Sequence, residues 1–172
     1  LFESTGQYGK SSLRRGDYRT GEVLSIKNLE RKYFGEGITL FNNRIYQLTW
    51  REKVGFVYNK SDFSLEKTFS FNHSAEGWGL CTDGKYFYKS DGTEKIWRLH
   101  PETLEEMDYI QIYTNTRAIE SVNELEWVQG RIYANIYQRD ALAVINPTDG
   151  AVEAVIDLSE LKKQVTPSKD LD

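Results

Sequence analysis

The chain has 172 residues, 39% apolar, 28% charged and 13% aromatic, and its 22 Lys and Arg against 26 Asp and Glu give a net charge of −4. That length predicts one domain with room for a sizeable core, and four Trp, eleven Tyr and eight Phe exclude disorder, which is poor in aromatics. The acidic balance argues against a nucleic-acid partner, and no apolar run approaches the roughly 18 residues of a membrane span.

The chain opens inside a strand pattern, Phe2-Glu3-Ser4-Thr5, with neither an initiator Met nor a signal peptide at its start. Over residues 13–23 a strand ends in a polar residue, Asp17, followed by a turn and a second strand. The same layout returns over residues 56–65 at Asn59, 96–104 at His100 and 142–150 at Asn146, so the turn-opening residues stand 42, 41 and 46 apart. Ahead of three of these turns, a second turn runs into an aromatic strand: Asn42-Asn43 into Tyr46, Asp83-Gly84 into Phe87, and Gln129-Gly130 into Tyr133. Further upstream lie Glu36-Gly37-Ile38, Glu76-Gly77-Trp78 and Asn123-Glu124-Leu125. Each unit therefore reads as about four short strands rich in Tyr, Ile, Val, Phe and Trp. A period in the forties with four strands per unit is the signature of a β-propeller blade. The best helix candidate, residues 158–164, is short, with Pro167 close behind. No composition shift divides the chain, so residues 1–172 are expected to form a single propeller domain. About four units fit this length. Because an open ring exposes sheet edges, the chain is expected to be an internal piece of a longer one, incomplete at both ends.

Equivalent positions in successive blades face the same part of the ring. Trp50, Asp91 and Tyr137 each lie four residues past a strand aromatic, and Glu36 and Asn123 each lie ten before one, with Glu76 opening the middle unit one residue further out. These sets would line one mouth of the channel as a pocket with aromatic walls and a few convergent polar groups. Trp50, Trp78 and Tyr137 read equally well as packing between blades. Glu36 is flanked by Gly35 and Gly37, where backbones can approach closely and a carboxylate gains nothing by packing. Glu76 has the same setting and reads as its structural repeat. Asp17, Asp83 and Asn146 read as turn formers, Cys81 as a buried small hydrophobe, and His73 and His100 as exposed. One cysteine and two histidines leave no Cys cluster and little for a zinc site or a Ser-His-Asp triad. Asn59-Lys60-Ser61 and Asn72-His73-Ser74 match the glycosylation pattern, a weak signal.

Several strings, in order, resemble the glutamine cyclotransferase family of plant and bacterial type. They are Phe2-Glu-Ser-Thr-Gly6-Gln-Tyr-Gly9, Tyr33-Phe-Gly-Glu-Gly-Ile-Thr-Leu40, Ile45-Tyr-Gln-Leu-Thr-Trp50, Glu76-Gly-Trp-Gly-Leu80, Asn123-Glu-Leu-Glu-Trp127 and Ile132-Tyr-Ala-Asn135. The resemblance runs from the first residue to about Leu161. It implies an all-β, five-bladed propeller, of which this chain covers about four blades. It also implies an enzyme that converts the N-terminal glutamine of peptides or proteins into pyroglutamate with release of ammonia, using no metal and no cofactor. The resemblance assigns a proton shuttle to Glu36, a substrate hydrogen bond to Asn123 and pocket walls to Trp50 and Trp78. Tyr137 stands where the family commonly has a further tryptophan. A monomer, without nucleic-acid or membrane partners and secreted or periplasmic, completes the expectation. An early Gln-Gly element and a late pocket lysine of the family lie outside this chain. Two other readings stay open: a calcium-dependent lactonase or esterase with Glu36, Asp91 and Asn123 as oxygen ligands, and a non-catalytic propeller that holds a peptide on its aromatics.

Overall fold

The hairpins opened by Asp17, Asn59, His100 and Asn146 share one set of hydrogen bonds. In a computed structural model that describes residues 1–164, each of these side chains accepts the backbone N–H two residues on, from Arg19, Ser61, Glu102 and Thr148. Each carbonyl accepts the N–H four residues on, from Gly21, Phe63, Leu104 and Gly150, and those four residues all take positive φ. The strand entering each turn slips register just ahead of it. A short side-chain acceptor stands in for the ladder partner that the turn removes. His100 serves through Nδ1.

These hairpins build four antiparallel up-and-down sheets. The first holds β1 (Phe2–Thr5), β2 (Ser12–Gly16) and β3 (Val23–Asn28); the second holds β4 (Gly35–Phe41), β5 (Arg44–Thr49), β6 (Val54–Asn59) and β7 (Leu65–Ser70). The third holds β8 (Leu80–Thr82), β9 (Phe87–Ser90), β10 (Lys95–Leu99) and β11 (Glu106–Gln111); the fourth holds β12 (Val122–Val128), β13 (Arg131–Ile136), β14 (Ala141–Ile145) and β15 (Val152–Asp157). The short helix α1 spans Ser159–Lys162, inside the segment where the sequence placed it. The four sheets are four blades of a β-propeller, as expected.

The shared turn also ranks the strands of the first sheet. Because Asp17 joins β2 to β3, these are the third and fourth strands of their blade, and β1 is the second. Thr5 agrees: its hydroxyl bonds the carbonyl and accepts the N–H of Ser12, as the Thr49 hydroxyl does with Val54. Among the described residues, no innermost strand lies beside β1.

The core is the set of seams between consecutive blades. Leu13 meets Ile45, Phe56, Tyr58 and Phe63 between the first and second sheets. Tyr46, Leu48, Val57 and Phe69 meet Leu80, Phe87 and Leu99 between the second and third. Cys81, Tyr88 and Ile96 meet Val122, Leu125, Ile132 and Ile145 between the third and fourth. Both faces of a blade are therefore apolar, which fixes neighbouring blades against each other and sets the inner strands side by side.

Candidate active site

The inner strands β4 and β12 each carry a bulge at the same place, with register slipping between Gly35 and Ile38 in one and between Val122 and Leu125 in the other. A bulge re-aims a side chain out of the ladder, and the residues inside these two are Glu36-Gly37 and Asn123-Glu124. In β12 the Asn135 side-chain oxygen accepts the N–H of Glu124 at 2.8 Å, bracing the bulge. Neighbouring inner strands approach through glycine. Gly37 N–H donates to Trp78 O at 2.8 Å, and a Cβ on Gly37 would sit 2.4 Å from that oxygen. A Cβ on Gly79 would sit 2.2 Å from Asn123 O. Glu36 in β4, Trp78 just ahead of β8 and Asn123 in β12 are thus equivalent positions in three successive blades. This corrects the expected pairing of Glu76 with Glu36: the repeat passes through Trp78, and Glu76 matches Phe34.

The two bulges and the segments that follow the second strands enclose a cavity of about 330 Å³, lined by Phe34, Glu36, Trp50, Trp78, Asn123 and Tyr137. Glu36, Asn123, Trp50, Trp78 and Tyr137, the five residues marked by the family resemblance, come together here. Trp50 and Tyr137 arrive by the same device in two blades, their N–H groups donating to Phe34 O at 3.0 Å and Ser121 O at 2.8 Å. The Trp50 ring packs on Phe34 at 5.4 Å, and Tyr137 meets Trp78 edge-on at 5.8 Å. Two contributors were not read from sequence. Phe34 supplies a wall and carried a signal, an aromatic directly before Gly35-Glu36-Gly37. Gly92, at positive φ, lets the Trp78 indole lie on bare backbone, where a Cβ would meet the ring at 2.5 Å.

Asp91 is not at this mouth. It is buried, and its carboxylate accepts from Ala75 N–H at 3.1 Å, Trp97 Nε1–H at 2.9 Å and the Thr93 backbone and hydroxyl. It therefore does not join Glu36 and Asn123 as a set of oxygen ligands. Among the described residues, no group of three or more His, Cys, Asp or Glu is arranged to hold a metal ion. A larger cavity of about 700 Å³ lies at the other end of the second and third blades, lined by Arg44, Glu66, Lys67 and Lys85 among others. Arg44 there is spent on Glu66 at 2.6 Å, and Lys67 Nζ donates to the Glu102 carbonyl at 2.9 Å. The smaller cavity instead sets Glu36 and Asn123 among four aromatic side chains.

Burial, and then the charges of Glu124, Glu76 and Glu52, push the Glu36 carboxyl up to about 8. Glu124 is raised to about 7 by burial and then by Glu126, although much of its own surface meets water, which weakens its hold on Glu36. Glu76 goes the other way: burial would raise it, but hydrogen bonds from Trp78, Trp50 and Arg51 outweigh that and hold it below the ordinary value. Carboxyls whose surroundings push them apart mark where acid–base roles divide. The carboxyl raised by burial thus shares one cavity with the Asn123 amide and four aromatic rings.

The family model for glutamine cyclotransferase matches residues 1–172. A glutaminyl-peptide cyclotransferase from Arabidopsis thaliana is 42% identical over 168 residues, which are 98% of this chain and 52% of the relative. The chain thus spans about half the length of that relative. The crystal structure of Myxococcus xanthus glutaminyl cyclase superposes with a TM-score of 0.86 at 31% identity, covering 96% of this chain and 71% of the other.

Proposed function

The chain belongs to the glutamine cyclotransferase family, and from that premise we propose that its cavity binds and cyclises the N-terminal glutamine of a peptide, as the pocket of a glutaminyl-peptide cyclotransferase. The observation that carries this reading is the meeting of Glu36 and Asn123 inside four aromatic walls. In the reaction the α-amine nitrogen bonds to its own side-chain carboxamide carbon, the bond from that carbon to the amide nitrogen breaks, and ammonia leaves. It is an acyl transfer within one residue, and most of its barrier yields to holding a bent side chain.

The proton balance needs one group. Attack places positive charge on the ring nitrogen; the Glu36 carboxylate takes a proton from it and returns that proton to the departing nitrogen. A peptide α-amine titrates near 7.7–8.0, and Glu36 is pushed to about 8. The free amine and the carboxylate are therefore both available near the same pH. The Asn123 amide is the donor for the carboxamide oxygen as it gains charge. Phe34, Trp50, Trp78 and Tyr137 keep water from the reacting carbon. No step calls for a metal, and substrates of this kind suit a secreted or periplasmic monomer.

Full-length protein should release ammonia and form a pyroglutamyl product from Gln-initiated dipeptides, at one rate with and without a chelator. Absence of product would overturn the function, and loss of activity with the chelator, restored by calcium, would overturn the metal-free mechanism.

A further inference from the structure

Glu76 does not line the cavity, yet it joins the two tryptophans that do. Its Oε2 accepts the Nε1–H of Trp78 at 2.7 Å and also the Nε1–H of Trp50. Trp50 follows β5 in the second blade and Trp78 precedes β8 in the third, so one oxygen ties two blades together at the mouth. Its Oε1 takes Arg51 Nε–H at 3.1 Å, and the Arg51 guanidinium lies 3.8 Å over the Trp50 ring. Trp50 is thereby held at its edge by the carboxylate and on its face by the cation.

The backbone beneath Glu76 is fixed by buried charge from the third blade. Lys89, fully buried, donates to Glu76 O at 3.0 Å and to Ser74 Oγ at 2.6 Å. Glu106 Oε2 takes the N–H groups of His73 at 2.7 Å and Ser74 at 3.2 Å, and Asp91 takes that of Ala75 at 3.1 Å. Residues 73–76 are therefore pinned at each successive residue. A carboxylate is well suited to accept two indoles and an arginine at once, because charge-assisted hydrogen bonds are roughly twice as strong as neutral ones.

We propose that Glu76 is the positioning residue of this site, setting the Trp50 and Trp78 rings as the two walls between which the substrate glutamine is held bent. This rests on the cyclotransferase reading for its substrate, but the clamp itself is testable without it.

The test uses full-length protein, the variants Glu76→Ala and Glu76→Gln, and two readouts. In 1H–15N spectra, the Trp50 and Trp78 indole resonances, assigned with Trp50→Phe and Trp78→Phe, should be slowly exchanging in the parent. In Glu76→Ala both should move and exchange faster, while the Trp97 indole, bonded to Asp91, stays in place and reports an intact fold. With Gln-initiated dipeptides, Glu76→Ala should lower kcat/KM by about 10- to 100-fold, chiefly through a raised KM, the size expected for lost hydrogen bonds to a charged group. Glu76→Gln, which keeps an acceptor oxygen, should recover most of that. Glu76→Thr, too short to reach the indoles, replaces Glu76→Ala if the latter does not fold. Unmoved indole resonances, or a Glu76→Ala variant with the parent's KM and kcat, would overturn the proposal. A parent with no cyclising activity would instead sink the cyclotransferase reading, and the indole spectra would still decide the clamp.

Discussion

Replacing Glu36 by Gln in the full-length protein should abolish most cyclisation while leaving a folded protein that is more stable at alkaline pH. The activity loss expected for a missing proton shuttle is about 10²- to 10⁴-fold in kcat, with KM for a Gln-initiated dipeptide changed far less, since the aromatic walls and Asn123 stay. The stability effect follows from the direction of the shift. Glu36 is raised from 4.5 to about 8 in the fold, so between those values the folded chain holds a proton that the unfolded chain has lost. Stability contributed by this site is whole below pH 4.5 and drains away as pH rises through about 8. The Gln variant carries no such cost. Its unfolding free energy should match the parent's near pH 4 and exceed it by about 1–3 kcal/mol near pH 9, allowing for the part of the carboxyl that meets water. Denaturant titrations at the two pH values check this. Equal stability at both would mean that Glu36 is not held in a dry site.

Removing the partner of Lys89 should be the most destabilising single change outside the apolar seams. Lys89 and Glu106 are both fully buried at the side chain, with Nζ 3.2 Å from Oε1, near enough for the charges although off the hydrogen-bond direction. Burial pulls Lys89 down to about 8, against the opposing pull of Glu106 and Asp91. Burial would raise Glu106, but Ser74, the Lys89 charge and the His73 N–H bring it below its ordinary value. Glu106→Ala strands the ammonium in the interior and frees two backbone donors, at a cost of about 3–5 kcal/mol. The deficit should narrow as pH rises toward about 8 and stay level above it, because without the Glu106 charge Lys89 sheds its proton below the parent's value of about 8. Urea unfolding from mildly acidic pH up to about 9 measures both parts, and a loss independent of pH across that range would contradict the role given to Lys89.

The hairpins were legible in the sequence because their chemistry is local: Asp17, Asn59, His100 and Asn146 each bond to a backbone group two residues away. Glu36 and Asn123 were legible for a related reason, since two blades of matching length carry them into matching bulges. The middle blade broke the pattern. Its inner strand β8 has only three residues, and what sets its register is the contact of Gly37 and Gly79 with backbone of the next blade. Counting residues along one chain does not see that contact, so Glu76 was matched to Glu36. Counting from Phe87 matched Asp91 to Trp50, but the register aligns Tyr88 with Tyr46. Asp91 therefore stands one place short, with Gly92 matching Trp50, and Ala75 and Trp97 hold its carboxylate. The ties of Glu76 to Trp50, and of Lys89 to Glu106, join residues 26 and 17 positions apart. Only the packed blades bring them together.

The central claim is that the pocket keeps the Glu36 carboxyl available as both acid and base near neutrality. A 13C titration of the glutamate side-chain carboxyls, with Glu36 identified by its absence in Glu36→Gln, tests this without relying on turnover. The expected result is one carboxyl carbon titrating near pH 8, lost in the variant. A Glu36 carboxyl that titrates at its ordinary value near 4.5 would contradict the account.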